Sequence, residues 1–485
     1  MGRNGLSWFT FTVRTRTNGK PAMLKSSPAS PTRLLSDARF YIKFLRDPIG
    51  CINYAYREAG SVVEVSRFGK PIVFALGPEF NRQILGDPAT FHVVPITLPG
   101  PEGSAQRRIG MGLVSVNDEV HKRHRRLVLP PFRGKALEVY GDAIVDAVTQ
   151  MLERWRPGER RDVLPEMTRL TIRVAGAILF ALDDPDEAQR TGEIINDWFH
   201  ANASVPVRLF RRDVWGTPYH RLLHLAGRVE RQILKLIEHR RAGPVKGSDV
   251  LSILLQAYDE DGTMLTNEEL IGETTIVFAA GHETTSKALT WTLFLLAQHP
   301  SIAQDLVDEL QGELRGDPPT IEQLGRLPLL DRVVKESMRV IPPVAFNVRK
   351  TTRPVELGGR ELPEGCTVLF SHYITHHMPK LYPEPERFLP DRWHTINPSQ
   401  YEYLPFSAGP RTCIGVGFAT MVIKVALSMI LQRHRVTVVP GARIDRSVRT
   451  TVSPRYGMPM TIWDQDRKFT RVPVRGNVLE MVDLD

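Results

Sequence analysis

Cys413 sits in the stretch YLPFSAGPRTCIGVGF, residues 403–418, where a tight turn gives way to a long apolar run. A thiolate is both a nucleophile and a metal ligand, and its pKa falls near a helix N-terminus. The first N–H groups of a helix have no partner within it, and the helix dipole favours an anion there. Gly409 and Gly415 let the backbone approach a flat partner, and Pro410 stiffens the turn. Arg411 adds a positive charge two residues before the sulfur, and Phe406 supplies an aromatic wall. The setting suits a cysteine held as the axial ligand of haem iron.

A second candidate is AAGHETT, residues 279–285, in the middle of a long helical pattern. A glycine inside a helix costs about 1 kcal/mol against alanine, and room for a ligand beside Ala280 and Gly281 is a reason to bear that cost. Thr284 can bond back to the carbonyl of Ala280, loosening the helix locally. A hydroxyl at Thr284 with an acid at Glu283 is a pair that can deliver protons. The third is KESMR, residues 335–339, where Glu336 and Arg339 are i, i+3 neighbours. It recurs with PEPERFLPDRW, residues 383–393.

Phe406, Gly409, Arg411, Cys413 and Gly415 resemble the haem-binding loop of the cytochrome P-450 family, the haem-thiolate monooxygenases. AAGHETT resembles that family's oxygen-activation motif, KESMR its Glu-x-x-Arg motif, and Pro385 to Phe388 its second structural motif. The resemblance covers roughly residues 35–465. It implies a mainly α fold with a small β region, in one large domain with a long central helix over the haem. It implies haem b (iron protoporphyrin IX), ligated by Cys413, with Thr284 and Glu283 catalytic. His121, Arg125, Arg349 and Arg411 would serve the anionic haem propionates. Glu336, Arg339 and Arg387 would form a buried charged triad that maintains the cofactor pocket without taking part in chemistry. A thiolate pushes electron density onto iron and favours O–O cleavage. The implied activity is insertion of one oxygen atom of O2 into a substrate.

These residues need elements to hold them. GSVVEVSRFGKPIVFAL (60–76) predicts a β-hairpin around Phe68-Gly69, followed by a helix over 77–87. Residues 88–113, rich in Pro and Gly, read as a loop. Apolar periodicity predicts helices over 117–129, 135–155, 163–182, 184–202, 219–241 and 248–257. A helix of about 33 residues then starts at Thr266 or Asn267, with Glu268 and Glu269 in its first turn, and stops at Pro300. It spans roughly 50 Å, and apolar residues nearly encircle it, so it belongs in the core. Helices over 300–313 and 328–341 follow, then short strands within 345–370 and 435–464. The expected organisation is a loose leader, 1–33; a catalytic domain, 34–465; and a peripheral tail, 466–485.

Of 485 residues, 42% are hydrophobic and 24% charged, which is ordinary for a globular protein able to enclose a cavity. The net charge is +9, with basic clusters at HKRHRR (121–126) and RLFRR (208–212). No nucleic-acid-binding module accompanies them. Lys122, Arg123 and Arg126 read as a solvated face or a docking site for an acidic redox partner. Three widely spaced cysteines, Cys51, Cys366 and Cys413, point to a reducing, cytoplasmic setting. The apolar run Leu6–Val13 is too short to span a bilayer, so no transmembrane segment is expected. No reductase segment is expected after residue 465. Electrons are therefore expected from NAD(P)H through a separate ferredoxin or flavodoxin-type partner, to a monomeric enzyme. The family positions that line the substrate site are mainly apolar, which implies a lipophilic substrate: a fatty acid, terpenoid, steroid or polyketide. Arg208, Arg211 and Arg212 read as a solvated loop or a site for a substrate carboxylate. Rival readings are a peroxygenase or isomerase, or a haem-based gas or redox sensor. None of these needs the Glu283–Thr284 relay.

Overall fold

The computed structural model describes residues 13–14, 43–67, 70–182, 184–242 and 249–484. The expected leader, apart from a two-residue strand, and the Phe68-Gly69 turn lie outside the described residues. The chain gathers into two compact units, one formed by 1–94, 344–385 and 398–412, the other by 95–343, 386–397 and 413–485.

The strands, in chain order, are β1 (Val13–Arg14), β2 (Val62–Arg67), β3 (Lys70–Ala75), β4 (Phe91–Val93), β5 (Arg160–Asp162), β6 (Phe346–Thr351), β7 (Val355–Glu356), β8 (Glu361–Leu362), β9 (Thr367–Ser371), β10 (His434–Val438), β11 (Arg446–Val448), β12 (Val452–Pro454) and β13 (Pro459–Asp464). The first unit is built on a six-stranded sheet in the order β1-β2-β3-β9-β6-β4. The expected hairpin is there: β2 and β3 pair antiparallel, with Arg67 opposite Lys70. The segment 88–113 is more ordered than a loop. Its Phe91-His-Val run, aromatic and β-branched, forms β4 and sets Val93 opposite Arg349 on β6. Val73, Ile84, Phe91, Val368, Phe370 and Leu404 pack as this unit's core.

The second unit is largely helical. Its helices include α1 (Asp118–Val128), α2 (Gly141–Leu152), α3 (Val163–Phe180), α4 (Pro185–Ala203), α5 (Val205–Leu209), α6 (Pro218–Ala242), α7 (Val250–Gln256), α8 (Asn267–Gln298), α9 (Pro300–Leu314), α10 (Pro328–Val340) and α11 (Val416–Arg433). Helix α8 opens with a capping box: the Glu269 N–H donates to Thr266 Oγ1 at 3.2 Å, and the Thr266 N–H to Glu269 Oε2 at 2.8 Å. Pro300, with no N–H to continue the ladder, begins the next helix. At 32 residues, α8 runs roughly 48 Å. Leu289, Trp291, Leu293, Phe294 and Leu295 on α8 are fully buried. Phe278 stacks on Phe180 of α3, centroids 5.5 Å apart.

Among the described residues, α11 is the one helix long and apolar enough to cross a membrane. Val422, Ile423, Ala426, Leu427 and Ile430 along it are buried in the second unit, so its apolarity serves the core. The tail expected at the periphery does not stay there. It is largely exposed through residue 475, then packs home through Val478, Met481, Val482 and Leu484. The Asp483 N–H donates to Glu386 O at 2.8 Å. An apolar residue every third or fourth position over 478–482 is enough to make that ending a core element.

Candidate active site

The cysteine loop is shaped by its backbone. Gly409 has φ +68°, and a Cβ there would lie 2.4 Å from Leu85 O, so both conformation and space require glycine. Gly409, Pro410 and Arg411 form one turn of 3₁₀ helix. Thr412 closes it by donating from Oγ1 to Gly409 O at 2.7 Å. Upstream, the Leu404 N–H donates to the buried His376 Nε2 at 2.7 Å, and the His376 ring lies 5.5 Å from that of Tyr403. Phe406 is half-buried beside this turn.

Cys413 follows, with Gly415 as the N-cap of α11. The cysteine is exposed, yet the chain crowds its sulfur. Burial pushes its thiol pKa up, against a hydrogen bond from the Gly415 N–H and the charge of Arg125. The two other cysteines are buried, and burial pushes each to about 11; they are inert packing thiols.

Helix α8 carries the second constellation. Around its midpoint the buried surface is interrupted along one stripe: Val277, Gly281 and Thr284 are partly accessible and Ala280 is exposed. Those positions recur at helical spacing. A Cβ on Gly281 would meet nothing within 4 Å, so the glycine borders open space. Thr284 Oγ1 donates back to Ala280 O at 2.9 Å, as its position predicts.

Glu283 behaves differently from its neighbour. It is 2% exposed and turned to other partners. Thr451 Oγ1 donates to its Oε1 at 2.9 Å, while Lys287 Nζ and His200 Nε2 stand 3.6 and 3.7 Å from Oε2. Burial alone would raise its pKa. The charge of Lys287 above all, with the Thr451 hydrogen bond, outweighs burial and holds it below the usual range, while burial pushes His282 down to about 4 and keeps that ring neutral. Burial pushes His200 down. The structure therefore places Glu283 and Thr284 on one turn without joining them. Lys287, four residues after Glu283, was legible as an i, i+4 partner. His200 and Thr451 carry no such signal, because they arrive from α4 and the turn between β11 and β12.

The cations fall in both units. In the second, His121 is buried on α1 and Arg125, four residues on, is half-buried. Burial and the charge of Arg133 lower the Arg125 pKa, and no carboxylate pairs with Arg125 among the described residues. In the first, Arg349 on β6 is 7% exposed, its guanidinium 5.2 Å from the Phe370 ring centre. It donates to Val348 O at 3.0 Å and also pairs with no carboxylate among the described residues. Burial and the neighbouring charge of Arg411 push it down to about 10. Burial, then the field of Arg349, pushes His372 down to about 4 and keeps it neutral.

The basic face of α1 is less solvated than its composition implies. Among the described residues, Lys122 pairs only with exposed Glu119. Arg123, expected on a solvated face or facing a redox partner, bonds Asp259 at 3.0 Å and Glu269 at 2.7 Å. His124, 1% exposed, meets Glu273 at 2.6 Å and Glu269 at 3.1 Å. These contacts tie α1 to the start of α8.

The buried triad exists with one member exchanged. Glu336 and Arg339 form two hydrogen bonds of 2.9 Å, both side chains fully buried. The third side chain is Arg392, whose Nε donates to Glu336 Oε1 at 2.9 Å. Arg387, the expected member, contributes its carbonyl to Arg339 Nη2 at 2.9 Å. The stretch 383–393 holds two Arg-aromatic pairs, Arg387-Phe388 and Arg392-Trp393. Only the 3₁₀ turn at Pro390–His394 decides which one enters. Trp393 Nε1 also donates to Glu336, at 2.9 Å.

With this geometry in place, similarity to known proteins becomes informative. The family model for Cytochrome P450 matches residues 40–459. The chain belongs to the cytochrome P450 family. It is 32% identical over 394 residues to the cyclooctat-9-en-7-ol 5-monooxygenase of Streptomyces melanosporofaciens, covering 79% of this chain and 84% of the relative. It is 32% identical over 387 residues to the pentalenene oxygenase of Streptomyces avermitilis, covering 77% and 84%. The retinoic-acid-bound cyanobacterial CYP120A1 structure matches with TM-score 0.76 and 25% identity over 87% of this chain and 96% of that one.

This cytochrome P450 is a haem-thiolate monooxygenase that acts on lipophilic substrates and draws electrons from a redox partner. The mainly α fold with small sheets stands as expected. The residues present fit a haem. Cys413 is an exposed residue at a helix start, and Gly281 leaves room along the open stripe of α8. Arg125 and Arg349 are desolvated cations that lack a protein carboxylate among the described residues, as an anionic group would require.

Proposed function

We propose that Cys413 would ligate the iron of haem b, that His121, Arg125, Arg349 and Arg411 would hold its propionates, and that Thr284 and Glu283 manage protons. The observation that carries this is the open stripe through Ala280, Gly281 and Thr284 on an otherwise buried helix, in the same unit as an accessible Cys413. Ala280, Gly281, Phe406 and Gly415 complete the cofactor contacts.

When bound, the haem supplies dioxygen activation and oxidation of the substrate C–H bond. The chain supplies position and protons. The Gly415 N–H donates to the Cys413 sulfur and tempers its electron release. Thr284 has its own proton committed to Ala280 O, so its oxygen presents lone pairs to the open stripe. It therefore holds a water or a hydroxyl in place as an acceptor. Glu283 stays ionised between Lys287, His200 and Thr451. It takes up a proton only transiently, which suits a carrier that must reload after each turnover.

The proposed substrate is a cyclic terpenoid hydrocarbon or alcohol. The two Streptomyces relatives bear such names, and the open stripe of α8 offers Val277, Ala280, Gly281 and Thr284 with no charge among them. A fatty-acid carboxylate would find no partner there. The electron route is NAD(P)H through a ferredoxin or flavodoxin-type protein to a monomeric cytoplasmic enzyme. Exposed basic residues such as Lys122 and Arg126 suit an acidic donor. The test is a spin-state titration of the ferric enzyme with cyclic terpenes, fatty acids and steroids, followed by product analysis. Terpenes should shift the spin state and return monohydroxylated product. A shift and product from fatty acids or steroids alone would overturn the substrate assignment.

A further inference from the structure

The carboxylate of Glu283 takes a hydrogen bond that its own helix does not supply. Thr451, buried and 168 residues away, donates from Oγ1 to Glu283 Oε1 at 2.9 Å. It stands in the turn joining β11 to β12, and these two strands form a sheet of their own. Three residue pairs join them: Arg446 opposite Pro454, Ser447 opposite Ser453 and Val448 opposite Val452. A two-stranded hairpin is marginal by itself in water, so both strands need a hold from outside.

Strand β12 is held from the helical side. The Val452 N–H donates to Pro343 O at 2.8 Å, and Trp291 Nε1 on α8 donates to Val452 O at 2.9 Å. Strand β11 is held by the end of the chain. Gly476 has φ +126°, and a Cβ there would fall 2.2 Å from Ile444 O, so the tail backbone lies directly on the residues that lead into β11. The Ile444 N–H donates to Arg475 O at 2.7 Å, and Ile444 O accepts the Val478 N–H at 3.2 Å. Asn477 brackets the next two residues. Its N–H donates to Asp445 Oδ1 at 2.8 Å, and its Oδ1 accepts the Arg446 N–H at 2.6 Å. The buried Arg446 guanidinium donates to Asn477 O and, at 2.8 Å, to Glu480 Oε2. Met481, Val482 and Leu484 fix the far end of the tail in the core. All of these tail residues lie beyond residue 459, where the match to the family ends.

We propose that residues 475–480 are a strap that positions Thr451 on Glu283, with Asn477 and Arg446 as positioning residues for the monooxygenase reaction. The inference rests on the reading of Glu283 as a proton carrier. The strap grips β11 where Trp291 and Pro343 grip β12, so the turn between the strands is fixed from both sides. The Thr451 hydroxyl then keeps one direction. Glu283 receives its donor on Oε1 and leaves Oε2 facing Lys287 and His200. At 2.9 Å, a drift of about 1 Å in the turn ends that hydrogen bond.

The test compares full-length, haem-loaded variants by product formed per electron and by hydrogen exchange over residues 447–451. Thr451→Val sets the scale, because it removes the hydroxyl and keeps the shape. Asn477→Ala should speed exchange over 447–451 about fivefold, the worth of one net hydrogen bond. It should also lower product per electron toward the Thr451→Val value. The double variant should be no worse than Thr451→Val alone, since the two act in series. Asn477→Asp keeps the accepting Oδ1 and should restore both readouts. A tail with a structural role alone would lower the urea midpoint in Asn477→Ala and leave product per electron, counted per bound haem, unchanged. That result overturns the proposal, as do unchanged exchange over 447–451 and additive losses in the double variant. Glu283→Gln separates the two layers. If it leaves product per electron unchanged, the proton-carrier reading fails and takes the strap's part in the reaction with it. If Glu283→Gln and Thr451→Val both lower it and Asn477→Ala does not, the strap alone fails.

Discussion

Replacing Glu336 by glutamine tests whether the buried triad is a folding element. Its two oxygens accept five hydrogen bonds. Oε1 takes Arg339 Nη2, Arg392 Nε and the Leu389 N–H, at 2.9, 2.9 and 3.0 Å. Oε2 takes Arg339 Nε and Trp393 Nε1, both at 2.9 Å. Glutamine keeps one acceptor, best used at the Oε1 position, and turns an NH2 toward the other two donors. Each orphaned buried donor costs about 1–3 kcal/mol, giving about 2–6 kcal/mol. Removing one partner of a buried ion pair costs about 3–5 kcal/mol, and the two ranges describe the same loss. Against a total stability of about 5–15 kcal/mol, the variant should show a large fall in urea midpoint by far-ultraviolet circular dichroism. Haem content should fall with it. Glu322→Gln is the control, since that carboxylate is 84% exposed beside Arg326 and should leave the midpoint unchanged. A Glu336→Gln loss below about 1 kcal/mol would refute the reasoning, because at least one of those donors would then have found another partner.

Three further outcomes follow from the same geometry. Thr284→Ala should keep haem and substrate spectra but cut product formed per electron on the order of tenfold, with peroxide released instead; unchanged coupling counts against the Thr284 role. Arg349→Ala should speed haem loss to apomyoglobin about 10–100-fold, the worth of one charge-assisted hydrogen bond; an unchanged rate removes Arg349 from the propionate set. Burial opposes the His124 imidazolium, but its bonds to Glu273 and Glu269 prevail and raise its pKa above 6.5. Its stabilisation is therefore full below about 6.5 and is lost as pH rises through the higher folded value. The wild-type melting temperature should fall over that window more steeply than that of His124→Gln, and parallel profiles would refute the pairing.

What the sequence revealed depended on how local the determinants were. The ends of α8 were legible because Thr266, Glu269 and Pro300 act within a few residues. The Cys413 turn was legible for the same reason, its glycines being required by its own geometry. The partners of Glu283 were only half legible. Lys287 lies one turn along the same helix, whereas His200 and Thr451 are brought there by packing. Arg387 is expected in the place that Arg392 takes, because two similar Arg-aromatic pairs lie five residues apart and only the intervening turn separates them. The ion pairs of Arg123 and His124 were hidden inside a basic run whose acidic partners lie more than a hundred residues away. The tail was misread because its buried residues occupy only 478–484, after a long polar stretch.

The central claim is that Cys413 provides the thiolate. The most direct measurement is the absorption difference spectrum of the reduced protein with and without carbon monoxide, for wild type and Cys413→His. The wild type should give the red-shifted Soret band of a thiolate-ligated carbonyl complex, and Cys413→His should lose it. A wild-type spectrum of the imidazole type, or a thiolate band that survives in Cys413→His, would contradict the assignment.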